Sequence, residues 1–91
     1  MGFEVEPGGV GEARVTLNCG SHLHNPMQRV HGGAIAALAD AAMGIAFGRT
    51  LIDDEDFSTI EMKVNYLRPV KDGVITAVAS VLERGLRIGF V

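Results

Sequence analysis

The spacing of apolar and polar positions changes several times along the chain, and each change marks an element. Residues 3–6 hold a short strand-like run that stops at Pro7-Gly8-Gly9, where turn formers crowd out any continuation. Residues 12–18 alternate cleanly. Ala13, Val15 and Leu17 fall on one side and Arg14, Thr16 and Asn18 on the other, as in a half-buried strand. Residues 20–29 are irregular and polar, and Asn25-Pro26 disfavours helix and marks a turn. The period then becomes helical. Apolar side chains recur at Ile35, Leu38, Ala39, Ala42, Met43 and Ala46, and the Ala, Leu and Met content favours a long helix over residues 32–51. Gly44 and Gly48 weaken it slightly and leave room for a strand or a partner backbone to come close.

After the helix, Asp53-Asp54-Glu55-Asp56 reads as a solvated acidic turn, since it lacks the glycine and ligand spacing of a calcium loop. Residues 57–68 give the clearest strand signal, with Ile60, Met62, Val64 and Tyr66 alternating against Thr59, Glu61, Lys63 and Asn65. Pro69 and Lys71-Asp72-Gly73 make a turn. Residues 74–83 are apolar on both faces, the pattern of a central strand. Glu83-Arg84-Gly85 turns again, and residues 86–91 begin a further strand with Leu86, Ile88 and Phe90 on one buried side. This order predicts an α+β domain in which an antiparallel sheet wraps one buried helix. Its last strand would expose an apolar edge, so further strands or a second chain are expected to cover it. The domain is accordingly expected to be incomplete at its C-terminal end and poorly stable alone.

Composition narrows the classes. A chain of 91 residues is one domain at most. The net charge of −3, with both signs interspersed, lacks the electrostatic footprint of a nucleic-acid binder. The single cysteine, Cys19, excludes an internal disulfide and fits a reducing compartment. The N-terminal residues have no basic and apolar signal regions, and Glu6 argues against a myristoylation motif at Gly2. The apolar run 34–47 is too short to span a bilayer and carries Asp40. A cytoplasmic protein that does not enter the membrane is expected.

Two features of the helix suit chemistry better than packing. It starts with paired glycines behind His31, so bare backbone N–H groups lie at the positive end of the helix dipole. In its middle Asp40 stands alone, with no basic residue three or four positions away, and is expected to be buried among Ala and Met. Asp40 lies eight residues beyond Gly32, hence about 12 Å along the axis. One substrate carbonyl cannot easily touch both within one subunit, whereas a twofold-related chain could bring its own Asp40 to this Gly32.

Three stretches, residues 25–33 (Asn-Pro-Met-Gln-Arg-Val-His-Gly-Gly), 37–42 (Ala-Leu-Ala-Asp-Ala-Ala) and 59–69 (Thr-Ile-Glu-Met-Lys-Val-Asn-Tyr-Leu-Arg-Pro), closely resemble the hotdog-fold acyl-CoA thioesterases of the phenylacetic-acid-degradation (PaaI-like) type. The resemblance runs from about residue 10 to the end, and relatives usually continue through one or two more strands. It implies a hotdog fold, an antiparallel sheet around one long central helix. It also implies hydrolysis of aryl- or medium-chain acyl-CoA in a homodimer or homotetramer with sites at the subunit interface, with no cofactor and no metal. Carried over residue by residue, the backbone N–H of Gly32 would polarise the thioester carbonyl, aided by Gly33. Asp40 would activate water, Thr59 would help hold it, and Asn25 and His31 would shape the pocket before the helix. Tyr66 falls in the strand motif on the substrate side, and Arg84, Gly85 and Arg87 occupy the turn where relatives contact CoA. Met27, Met43, Phe47 and Met62 are the apolar candidates for the acyl pocket.

Other readings remain for these residues. His22, His24 and His31 could present three imidazoles to a metal, although no zinc-motif spacing is met. A hotdog hydratase or dehydratase would carry a histidine after the proline of the loop, where this chain has Met27-Gln28. A non-catalytic acyl-CoA-binding module would keep the motifs without turnover.

Overall fold

The computed structural model describes residues 2–91. Strand β1 (Phe3–Val5), strand β2 (Glu12–Cys19), helix α1 (Gly32–Gly48) and strand β3 (Gly73–Ser80) form the body, followed by the hairpin strands β4 (Glu83–Arg84) and β5 (Gly89–Phe90). The three longer-range strands pair antiparallel in the order β1-β2-β3. Alternation in β2 sets the core: Ala13, Val15, Leu17 and Cys19 are all buried. Their partners on β3 are Ala79, Ala77, Ile75 and Gly73, so the apolar rows of the two strands lie side by side on one face.

Helix α1 covers that face with a stripe one helical turn apart, Ala34, Leu38, Ala42 and Ala46. Three of these four side chains are methyl groups, which lets the helix sit close to the sheet, and Leu38 is the large side chain that fills the interface. Ile35 and Met43, expected on the buried face, flank the stripe half-buried. The helix stops at Gly48, three residues short of the expected end. Thr50 donates both its N–H and its hydroxyl to Phe47 O, and Leu51 N–H bonds Gly48 O, so tight turns satisfy the last carbonyls. The Arg49 guanidinium then ties the helix end to the sheet, donating to Glu12 O at 2.7 Å and Glu6 O at 3.0 Å.

Three expectations need correction. Residues 57–68 are extended but join no sheet, and among the described residues no backbone hydrogen bond reaches any residue from 58 to 69. Their alternation survives only at Met62 and Val64, which are half-buried while Ile60 and Tyr66 are exposed, and among the described residues no strand lies alongside to pair with them. The stretch 74–83 is not buried on both faces. In β3 only Ile75, Ala77 and Ala79 turn inward, while Val74 and Val78 are each 67% exposed, because α1 covers one side of the sheet alone. Leu86, Ile88 and Phe90 are also exposed, with Leu86 at 96%. Among the described residues, no helix is long and apolar enough to cross a membrane. Cys19 is free and buried, and burial raises its thiol pKa.

Because Leu38 sits at the centre of the helix–sheet contact with 1% exposure, Leu38→Ala is expected to cost about 2–5 kcal/mol. Urea unfolding should show a lower midpoint with an unchanged slope.

Candidate active site

The helix start is built by the loop before it. Asn25 organises that loop: its Oδ1 accepts from Met27 N–H at 2.9 Å and Arg29 N–H at 3.2 Å, while its own N–H bonds Arg29 O at 2.7 Å. Gln28 takes a left-handed φ of 59° to close the turn. His31 N–H bonds Leu23 O, and Val30 N–H bonds Val70 O, which pins the loop between the 3-10 turn (Ser21–Leu23) and the approach to β3. His31 is the N-cap of α1, and its Nδ1 accepts from Gly33 N–H at 3.0 Å. Of the paired glycines, Gly33 is therefore occupied. Among the described residues, Gly32 N–H has no acceptor and remains open at the positive end of the helix.

The unpaired segment 57–69 runs along the helix and is held to it by side chains. At one end Phe57 lies over Gly44 and Gly48, where an added Cβ on either glycine would stand 3.6 Å from its ring. The neighbour of these two glycines is therefore a side chain and not the strand or partner backbone expected there, and it lies at ordinary contact distance. In the middle the Thr59 hydroxyl donates to Asp40 Oδ1 at 3.1 Å. Towards the other end, the Tyr66 hydroxyl donates to Gly32 O at 2.8 Å. Asp40 is exposed, which corrects the expectation of a buried acid: it sits on the solvent side of α1, off the alanine stripe. Thr59 leaves its other carboxylate oxygen open.

Most of the candidate residues fall around two separate cavities, while His31, Gly33 and Gly85 line neither. Asp40 and Thr59 line a cavity of about 880 Å³ together with Met43, Phe47 and Arg87. Asn25, Gly32 and Tyr66 line another of about 360 Å³ at the helix start, with Met27 at its rim. Met62 lines neither. Within one chain the water-activating candidate and the open N–H donor thus face different spaces.

Arg84 is committed elsewhere. Its Nε donates to Thr50 Oγ1 at 3.0 Å, Nη2 meets Glu55 Oε1 at 2.5 Å, Nη1 donates to Gly85 O, and the guanidinium stacks 5.3 Å over the Phe47 ring. Gly85 and Gly89 serve this packing. A Cβ at Gly85 would lie 2.5 Å from Ile88 O, and one at Gly89 would lie 2.1 Å from the Phe47 ring. Arg87 lines the larger cavity and, among the described residues, has no ion-pair partner. Glu55 is more than part of a solvated turn. Its Oε1 also accepts from Ile52 N–H at 2.8 Å, and that bond first, then Arg84, holds its carboxyl below the usual pKa. Sequence reasoning missed Glu55 and Phe57. The hint for Phe57 was the pair of glycines four apart on α1; Glu55 had no local signal. Among the described residues no three His, Cys, Asp or Glu side chains gather as a metal set, and His24 Nε2 lies 2.6 Å from Lys71 O.

Residues 27–91 match the thioesterase superfamily model. A structure of the conserved protein PA5202 from Pseudomonas aeruginosa superposes with a TM-score of 0.88 at 40% identity, over 94% of this chain and 69% of that one. The PaaI protein of the E. coli phenylacetic acid degradation operon gives 0.85 at 27% identity, over 96% of this chain and 62% of that one. The 1,4-dihydroxy-2-naphthoyl-CoA hydrolase of Listeria monocytogenes is 29% identical over 93% of this chain and 69% of its own length. The helix packed on an antiparallel sheet is the α+β hotdog arrangement of these structures. Across the curated relatives that it matches first, the chain spans 58% to 69% of their length.

The lowered pKa of Glu55 fixes a sign. A carboxylate whose folded pKa lies below its unfolded value adds stability that is present above the unfolded pKa and lost as pH falls through the folded one. Acid titration should therefore show stability declining below about pH 4.3. Glu55→Gln should flatten that acid-side slope.

Proposed function

We propose, since the chain belongs to the thioesterase superfamily, that it hydrolyses acyl-CoA thioesters at a site shared between two copies. The observation that carries this reading is the exposed carboxylate of Asp40, held by the Thr59 hydroxyl at 3.1 Å on the wall of a large, partly apolar cavity. Thr59 fixes one carboxylate oxygen and leaves the other to accept a proton from water. The oxygen of that water adds to the thioester carbonyl carbon. The carbonyl oxygen then gains negative charge, which Gly32 N–H at the helix start stabilises. Collapse of this intermediate breaks the C–S bond. The proton taken up by Asp40 passes to the departing thiolate, and free acid and CoA leave.

Gly32 and Asp40 are about 12 Å apart along α1 and border different cavities, so the reaction needs the partner subunit's Asp40 beside this Gly32. The free backbone of residues 58–69 supports such an assembly. An extended segment with open donors and acceptors can pair with its own copy across a twofold axis. Likeness to PaaI and to the Listeria hydrolase supports an aryl acyl group, and likeness to the medium/long-chain acyl-CoA thioesterase YigI of Salmonella typhimurium supports a medium-chain one. Met43 and Phe47 supply the apolar wall for it. Asn25 acts through the loop that it builds, and Arg87, free of internal ion pairs, is the better candidate than Arg84 for the phosphates of CoA.

Asp40→Asn keeps an oxygen for Thr59 but removes the base. It should lower kcat about 10²- to 10⁴-fold with little change in KM, read as CoA thiol release across a panel of acyl-CoAs. An unchanged kcat would remove Asp40 from the mechanism, and tight acyl-CoA binding without turnover in the wild type would favour a binding module.

Sharing of the site has its own test. Gly32→Pro deletes the open N–H at the first helical position, where proline costs no helical hydrogen bond, and its ring would press on the Tyr66 ring that lies over Gly32. Each variant alone should be nearly inactive. An equimolar mixture, once subunits exchange, should regain about a quarter of wild-type activity, since about half the dimers hold one intact site of two. No recovery in dimers shown to have exchanged would mean that Gly32 and Asp40 of the same chain serve one site, and the shared-site reading would fall.

A further inference from the structure

We infer that Tyr66 is a positioning residue that sets the tautomer of His31 through the Gly32–Gly33 peptide. Three bonds in series make the connection. The Tyr66 hydroxyl donates to Gly32 O at 2.8 Å, the carbonyl of the peptide whose N–H belongs to Gly33. That N–H donates to His31 Nδ1 at 3.0 Å. An amide whose carbonyl accepts a hydrogen bond becomes a stronger donor at its N–H, so the two bonds reinforce one another. With Nδ1 accepting, the neutral imidazole carries its proton on Nε2. The His31 side chain is exposed and, among the described residues, its Nε2 has no partner, so this Nε2–H faces solvent beside the helix start.

The Tyr66 ring also seats the peptide. It lies on the bare face of Gly32, where an added Cβ would meet it at 3.4–3.5 Å. The Gly32–Gly33 peptide is thus held at both ends: the tyrosine fixes its carbonyl and the histidine its N–H. The preceding peptide carries the open Gly32 N–H. Tyr66, 34 residues from Gly32, therefore keeps two donors in place at the helix start, Gly32 N–H and His31 Nε2–H. Its hydroxyl proton is already used, so it contributes to the site through those donors and not as a substrate anchor.

The tautomer can be read without any activity. Imidazole ¹H–¹⁵N correlation spectra of the ¹⁵N-histidine-labelled chain at pH 8, with His31 assigned through His31→Gln, should show Nδ1 unprotonated and Nε2 protonated. In Tyr66→Phe, which keeps the ring on Gly32, the two nitrogens should shift towards the averaged position of a mixed tautomer. The kinetic arm rests on the thioesterase reading: kcat should fall about three- to tenfold, with KM within about twofold of wild type. A wild-type His31 protonated on Nδ1 would overturn the inference, and that measurement needs no variant. So would ring nitrogen shifts that Tyr66→Phe leaves unchanged, or a raised KM at constant kcat, which would make Tyr66 a substrate contact. If the wild type cleaves no acyl-CoA, the proposed reaction fails while the spectra still decide the role of Tyr66.

Discussion

Everything in this chain depends on how closely α1 can lie on β2 and β3. Ala34, Ala42 and Ala46 bring the helix down onto the buried row of β2, and Leu38 alone fills the space that the methyl groups leave. This contact turns one face of the helix inward and so decides what the others present. Asp40 emerges on the open side, Gly44 and Gly48 form a shallow seat for Phe57, and the helix start projects past the sheet towards the loop that caps it. Bulkier residues along the stripe would lift the helix and displace all three together.

A second centre forms around Phe47. Its ring packs against Phe57 at a centroid distance of 5.4 Å, lies under the Arg84 guanidinium, and leaves room at Gly89 for nothing larger than hydrogen. Arg84 in turn joins Thr50 at the helix end, Glu55 in the acidic loop and Gly85 in the hairpin turn. Two regions far apart in sequence, the helix end with its acidic loop and the hairpin, are thereby fixed around the larger cavity. The ion pair is partly shielded and its arginine is shared among several acceptors, which places it above an isolated surface pair in worth.

What could be read beforehand follows from the range of each interaction. Ala13, Val15 and Leu17 were legible because a strand with one buried face writes its period into adjacent residues. The helix start was legible in part: glycines behind a histidine mark backbone donors at the first turn, of which only Gly32 N–H stays open because His31 accepts from Gly33. Residues 57–68 kept their alternation only at Met62 and Val64, and period says nothing about whether a neighbouring strand is there to pair. Val74 and Val78 misled for a related reason, since an apolar side chain on a strand does not reveal which face is covered. The contacts of Arg84 with Phe47, Thr50 and Glu55 join residues 29 to 37 positions apart, and no local pattern encodes them. At the site, the motifs singled out Asp40, Thr59, Gly32 and Tyr66, but not the hydrogen bonds that join Thr59 to Asp40 and Tyr66 to Gly32, nor the occupation of Gly33 by His31.

The absence of a backbone ladder along residues 58–69 alters the usual balance between activity and stability. In most enzymes the reacting groups are conformationally costly, and deleting one tends to stabilise the fold. Here the Thr59–Asp40 and Tyr66–Gly32 bonds moor an extended segment that, among the described residues, has no backbone bonds of its own. Chemistry and anchorage share the same atoms. A substitution that removes the Asp40 side chain entirely would free the segment at Thr59 as well as delete the base of the proposed reaction, so its effect on activity carries a contribution from lost anchorage.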